Sequence, residues 1–211
     1  MKNFYPFNYG KGGVKLIEDN RCVIGIDMGH LCGYVAFKPK DVPEEWHGQS
    51  DASGLQYLKI HGGITYADIA SDGEEASKIA SKNRNDKLEK MRKEIDIKND
   101  SQKYWDERKK IITEELEEKK SLGYDWVIFG FDCAHADDEF NSNLRDPKHV
   151  MELTKQMESQ MKALAERWVY YKGEDQDSKC KLLDEIRAMA TINTSAGMGE
   201  MLGMLSGGDN I

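Results

Sequence analysis

Between Glu74 and Leu122 the chain carries 14 Lys/Arg and 13 Asp/Glu in 49 residues, with no proline and with glycine only at its margins. Lys, Glu, Arg and Ala dominate, and that composition favours helix. Apolar residues recur thinly: Leu88, Met91 and Ile95 follow the i, i+3, i+7 spacing of a narrow stripe, and Tyr104, Trp105, Ile111, Ile112 and Leu116 come later. Asn99-Asp100-Ser101 reads as a break followed by an N-cap, so the segment is expected to form two helices in an antiparallel hairpin. A solvated helical arm is the plainest reading. So thin a stripe would bury little against its own domain, which leaves a lid or a dimerisation arm as the sharper one.

The flanks differ. Arg21 to Asp27, Gly33 to Phe37, Leu55 to Ile60 and Trp126 to Phe131 are short β-branched or aromatic runs punctuated by Gly, Asp or Pro, as strands are. After Asp146 and Pro147, which suit an N-cap and a first helical position, Val150, Leu153, Met157, Met161, Leu164 and Trp168 recur every three or four residues. A second helix is expected from about Ser178 to Ala190, with Cys180, Leu183, Ile186 and Met189 inward. The Gly- and Met-rich stretch 192–211 is expected to be a flexible or docking tail. Strands, a helical excursion, one more strand and then helices imply a single α+β domain. Its sheet would be small and mixed or antiparallel, the arm would span 74–122, and C-terminal helices would pack on the core.

Composition excludes several classes. No apolar run approaches the ~20 residues that cross a bilayer, and the first 13 residues lack the apolar core of a secretory signal. The net charge of −8 argues against broad nucleic-acid binding, which needs clustered positive charge. Outside the arm the imbalance is steeper, with 16 basic and 25 acidic residues. Four scattered cysteines without a CxxC pair suggest neither a disulfide scaffold nor structural zinc, and a reducing cytoplasmic setting is expected.

Three histidines lie in compact motifs beside expected strand ends: His30 in Met28-Gly-His-Leu-Cys-Gly33, His61 in His61-Gly-Gly-Ile-Thr-Tyr66, and His135 in Gly130-Phe-Asp-Cys-Ala-His-Ala-Asp-Asp138. In the last of these an apolar strand ends in Asp132, and the next six residues supply a thiol, an imidazole and two more carboxylates. Carboxylates with an imidazole suit a divalent metal, and Asp–His pairs also orient general bases. Asp132, His135 and Asp138 are therefore the candidate metal ligands, and His61, Asp132 and His135 the candidate catalytic groups. His30, Gly62, Gly63, Thr65, Tyr66 and Cys133 are candidate ligand-binding residues, the two glycines because they permit close backbone approach or positive φ. Asp68 and Asp72 would enlarge an acidic pocket or cap the arm. Cys133 as a nucleophile beside His61 or His135 is conceivable, but a small buried group is the better reading. Gly10-Lys-Gly-Gly13 fits no phosphate-loop pattern, and no G-x-S-x-G elbow occurs.

These three blocks, around His30-Leu-Cys-Gly-Tyr-Val35, His61 to Tyr66 and Phe129 to Asp138, resemble a family of small uncharacterised proteins encoded by bacteriophages and prophages. The likeness covers a quarter to a third of the chain, excluding the arm and the C-terminal helices. It implies a phage accessory role in an infected bacterium and a shared site, but no reaction.

Two functions are then open. One is a metal-assisted hydrolase of a nucleotide-like or phosphorylated small molecule, a divalent ion lowering the pKa of bound water from ~16 towards ~7. The other is a non-catalytic protein that sequesters a small-molecule signal or inhibits a host defence protein, with the arm or the Met-rich tail supplying partner or homo-oligomer contacts. The first rests on imidazoles and carboxylates some seventy residues apart, such as His61 and Asp132, converging in one pocket.

Overall fold

A computed structural model describes residues 17–19, 21–27, 30–71, 74–95, 100–135, 138 and 142–188. It is an α+β fold. Five antiparallel strands, β1 (Ile17–Asp19), β2 (Cys22–Asp27), β3 (His30–Phe37), β4 (Tyr66–Ala70) and β5 (Trp126–Asp132), form one sheet in the order β1-β2-β3-β5-β4. The helices are α1 (Glu74–Glu94), α2 (Ser101–Leu122), α3 (Pro147–Glu166), α4 (Trp168–Gly173) and α5 over 176–188.

Strand alternation sorts the side chains of the sheet onto two faces. Val35, Phe37, Val127, Phe129, Phe131 and Ile69 enter the main core, where α3 contributes Val150, Met157, Met161 and Leu164, and α5 contributes Leu182, Leu183 and Ile186. Val23, Ala36 and Ile128 form a smaller cluster on the other face, with Tyr66, Ala70 and Trp126 against it. At the start of α3 the Asp146 side chain accepts from the Lys148 N–H at 3.0 Å and Pro147 takes a first-turn position. Cys180, expected inward, is exposed, and Leu182 is buried with Leu183 and Ile186 instead. Met189 and residues 192–211 lie outside the described residues, as do Gly10 to Gly13.

The segment Leu55 to Ile60 is not a strand. Leu55–Tyr57 is a 3-10 turn that follows Gly54 at φ 88°, and the strand of this region is Tyr66–Ala70. The buried residues Leu55 and Leu58 are three apart, a helical spacing rather than a strand's alternation. Lys59 makes its ladder-like bonds with a side chain: its N–H donates to Gln160 Oε1 and its carbonyl accepts from Gln160 Nε2, both at 2.8 Å.

β4 and β5 are antiparallel neighbours, and α1 and α2 fill the connection between them. The helical pair is thus rooted at the Ala70/Trp126 end of the sheet, while the His61 segment enters at the opposite, Tyr66/Gly130 end. Met91, Tyr104 and Ile111 close the pair on itself, with Leu88 and Ile95 beside them. The helices break at the expected place, but Asp100 caps α2 only through its carbonyl, which accepts from Tyr104 N–H, and not through its side chain. Leu116 joins the main core, whereas Trp105 and Ile112 stay exposed. No helix among the described residues is long and apolar enough to cross a membrane.

Candidate functional site

His61 arrives on a turn. Ile60 C=O accepts from Gly63 N–H, and Gly62 and Gly63 both sit at positive φ (63° and 81°), a backbone that L side chains adopt only with strain. The Thr65 N–H donates to Gly130 C=O, tying this turn to β5 just before the chain leaves the sheet. From the β5 side, Cys133 N–H donates to Leu31 C=O, and the chain then turns so that Asp138 N–H donates to His135 C=O.

These two turns bring three side chains onto one atom. Asp138 Oδ2 accepts from His61 Nε2 at 3.1 Å, from His135 Nδ1 at 3.1 Å and from the His135 backbone N–H at 2.9 Å. The imidazole rings stand edge to face, 5.5 Å between centroids, and His61 also meets the edge of Phe131. Burial acts to raise the Asp138 pKa, but the His135 N–H and the two imidazoles outweigh it and hold the carboxyl below its ordinary value. An ionised carboxylate only accepts, so without an ion the two facing nitrogens donate to it, and a metal bound there would take the place of both protons. His61 and His135 are both part-exposed, so a solute can reach them.

Histidine and carboxylate atoms of these three residues lie within 4.8 Å of one another, as metal ligands do. Ligands ~2.1 Å from a common ion sit roughly 3.0–3.4 Å apart, the separation of both nitrogens from Oδ2 here. Two imidazoles and one carboxylate suit zinc, manganese or iron(II) and leave further positions for water.

The set differs from the sequence-based one in one acid. Asp132 follows Phe131 on β5 and by alternation leaves the core side that Phe131 enters, half-buried at the strand's end. Its Oδ1 accepts from Ala134 N–H at 3.1 Å and comes no closer than 3.9 Å to His135 Nδ1. Asp132 therefore stands beside the cluster, and His61 takes the place expected for it. His30 opens β3 at the same end of the sheet with an exposed side chain. Gly62 packs against the His135 ring, whereas Gly63 has open space and Thr65 is exposed.

Tyr66 is not with the histidines. It lies on the far face, edge to face with Tyr34, and its hydroxyl donates to Asp68 Oδ2 at 3.1 Å, burial and then Asp68 holding the phenol well above its ordinary pKa. Asp68 itself is gripped by Lys119 of α2 and enlarges no pocket with the histidines, while Asp72 falls outside the described residues. Cys133 is buried in the core, and burial, with Asp138, Cys32 and Asp132 nearby, pushes its thiol up to about 12, so it is protonated at neutral pH and no nucleophile. Sequence reasoning missed Gln160, which pins the His61 segment; a glutamine inside the apolar stripe of α3 is the signal that marks it.

No protein-family model, curated protein or solved structure matches the chain.

Proposed function

We propose that this protein is a small metal-assisted hydrolase whose divalent ion is held by His61 Nε2, His135 Nδ1 and Asp138 Oδ2. The observation that carries the reading is the convergence of two imidazoles on one carboxylate oxygen, from turns 77 residues apart. Three protein ligands leave open positions for water and substrate, the arrangement of catalytic rather than structural sites. The ion would generate hydroxide at neutral pH. Asp132, 3.9 Å from His135 Nδ1 and itself no ligand, would serve as the carboxylate that accepts the water's proton. The substrate class we assign is a nucleotide-like or phosphorylated small molecule in a phage-infected bacterium. The resemblance of the three motif blocks to phage and prophage proteins supports that setting.

The test is metal content and turnover. Zn2+ and Mn2+ are titrated into purified protein and into His61→Ala and Asp138→Asn, with circular dichroism to confirm folding, and nucleotides and phosphate esters are then assayed with each ion. Metal bound by the wild type, lost in both folded variants and required for hydrolysis is the expected result. A folded wild type that takes up no metal at micromolar concentration overturns the reading. If that metal-free protein retains an intact nucleotide, it captures a ligand without turning it over.

A further inference from the structure

The geometry points to Gly62 and Gln160 as positioning residues for the two imidazoles: Gly62 leaves the seat that the His135 ring occupies, and Gln160 pins the segment that carries His61. The metal-affinity readout rests on the hydrolase reading above; the positioning itself does not.

Gly62 is exposed and lies in a Gly-Gly turn, a place where substitution is usually tolerated. A Cβ built there would nonetheless stand 2.0 Å from Cε1 and 2.3 Å from Nε2 of His135. Real Cβ atoms do not approach ring atoms that closely, so any side chain at 62 must move the ring or the turn. The ring is held where it is by its Nδ1 bond to Asp138 and by its edge-to-face contact with His61, and moving it disturbs both. Gly63 shares the left-handed backbone, yet its Cβ would meet nothing within 4 Å. The two glycines therefore form a matched pair, both at positive φ, of which only Gly62 is in contact with His135.

Gln160 acts from below. It is 2% exposed, deep in the face of α3, and its amide pairs with both backbone polar groups of Lys59. Two residues later comes His61. A side-chain amide thus replaces the missing strand neighbour of the segment and fixes its height over the helix, and with it the approach of His61 Nε2 to Asp138. Removing it takes away the side chain that holds the Lys59 N–H and C=O to α3, and the segment is then free to shift.

The experiment compares Gly62→Ala, Gly62→Asn, Gly63→Ala and Gln160→Met with the wild type. Long-range 1H–15N correlations of the imidazole nitrogens are recorded without metal, Zn2+ affinity is measured by titration, and thermal melts are run alongside. Asn tolerates positive φ, so Gly62→Asn keeps the Cβ while easing backbone strain and covers the case of an unfolded alanine variant. Expected are displaced His135 ring signals in both Gly62 variants, displaced His61 signals in Gln160→Met, and Zn2+ affinity lower by at least about tenfold in all three. Gly63→Ala keeps the wild-type ring signals and affinity even where its melting temperature falls. Gly62 variants whose His135 signals match those of Gly63→Ala overturn the role of Gly62, and an undisturbed His61 in Gln160→Met overturns that of Gln160. If the wild type binds no Zn2+, the hydrolase reading fails, and the metal-free ring signals alone decide positioning.

Discussion

His61 and Asp138 are 77 residues apart, yet the Nε2 of one lies 3.1 Å from the Oδ2 of the other, on the same oxygen that His135 Nδ1 approaches at 3.1 Å. One atom therefore organises both rings, and its removal should cost more than the loss of any other acid nearby. In Asp138→Asn the Zn2+ affinity is expected to fall by at least about a hundredfold, because a charged ligand and the orientation of both imidazoles go together. In Asp132→Asn it should fall by less than about tenfold, since that carboxylate is 3.9 Å from the nearest ring nitrogen, while turnover drops if it takes the water's proton. Isothermal titration and a rate assay on the two variants check this; equal affinity losses would make Asp132 a ligand after all.

This difference between two acids shows what the chain reveals by itself. Asp132, His135 and Asp138 stand in one short run, so a polar cluster at the end of β5 was legible. That Asp132 turns away from the core follows from alternation between the buried Phe131 and Cys133, whereas the turn that carries His135 and Asp138 back onto one oxygen has no such local rule. The partner on the far side was less accessible. His61 lies on a turn held by Gln160, 101 residues from the backbone it pairs with, and no local pattern encodes that bond. Asp146 and Pro147 marked the start of α3 correctly because capping is local, whereas Leu55 to Ile60 resembled a strand because its apolar residues fill a core from a 3-10 turn.

A buried histidine away from the site sets a pH dependence. His47 accepts from the Tyr124 hydroxyl at Nδ1 and donates from Nε2 to Val42 C=O at 3.3 Å. Burial holds its imidazole below the ordinary value of 6.5, against the upward pull of the Val42 and Pro39 carbonyls and Glu44, with Lys120 adding to the lowering. The unfolded chain then takes up a proton more readily than the folded one. Stability is therefore complete above the unfolded pKa of about 6.5 and falls as pH drops through it. Asp138, held low, keeps its contribution until the pH nears the ordinary carboxylate range, well below the pH at which the His47 loss begins. Melting temperatures at about pH 7.5 and 5.5 should differ more for the wild type than for His47→Gln; parallel slopes would defeat the assignment.

Gly130 is a strand glycine with aromatic rings on both sides. Its register partners are Tyr34 on β3 and Tyr66 on β4, whose rings meet edge to face with centroids 5.8 Å apart, and a Cβ at Gly130 would stand 2.3 Å from Tyr34 Cδ1. The rings cover the glycine as aromatic pairs do in sheets. Gly130→Ala must part them, and overpacking of this kind costs about 1–3 kcal/mol. Urea denaturation of that variant alone and combined with Tyr34→Leu checks it: the second change should restore part of the loss, and strict additivity would show that the ring is not the obstacle.

The helical arm is joined to the sheet by charge as well as by Leu116. Lys119 Nζ lies 2.7 and 2.8 Å from the two oxygens of Asp68 and 3.0 Å from Glu115 Oε1, and Arg84 meets Glu115 Oε2 at 3.2 Å. Lys119 is 5% exposed and Glu115 6%, so removing the lysine leaves the Glu115 carboxylate to Arg84 alone and takes the cation from the part-exposed Asp68 beside it. Lys119→Met should therefore destabilise by about 3–5 kcal/mol, far more than the worth of the intact network against an apolar one. Adding Asp68→Asn to that variant should recover part of the loss by removing one stranded charge. The arm offers its own control: Lys87 and Glu114 pair at the comparable distance of 2.8 Å but are about half exposed, and Lys87→Met should leave the denaturation midpoint unchanged. If Lys119→Met were as silent as Lys87→Met, water would already reach the network, and the junction of arm and sheet would be held by Leu116 and its neighbours alone.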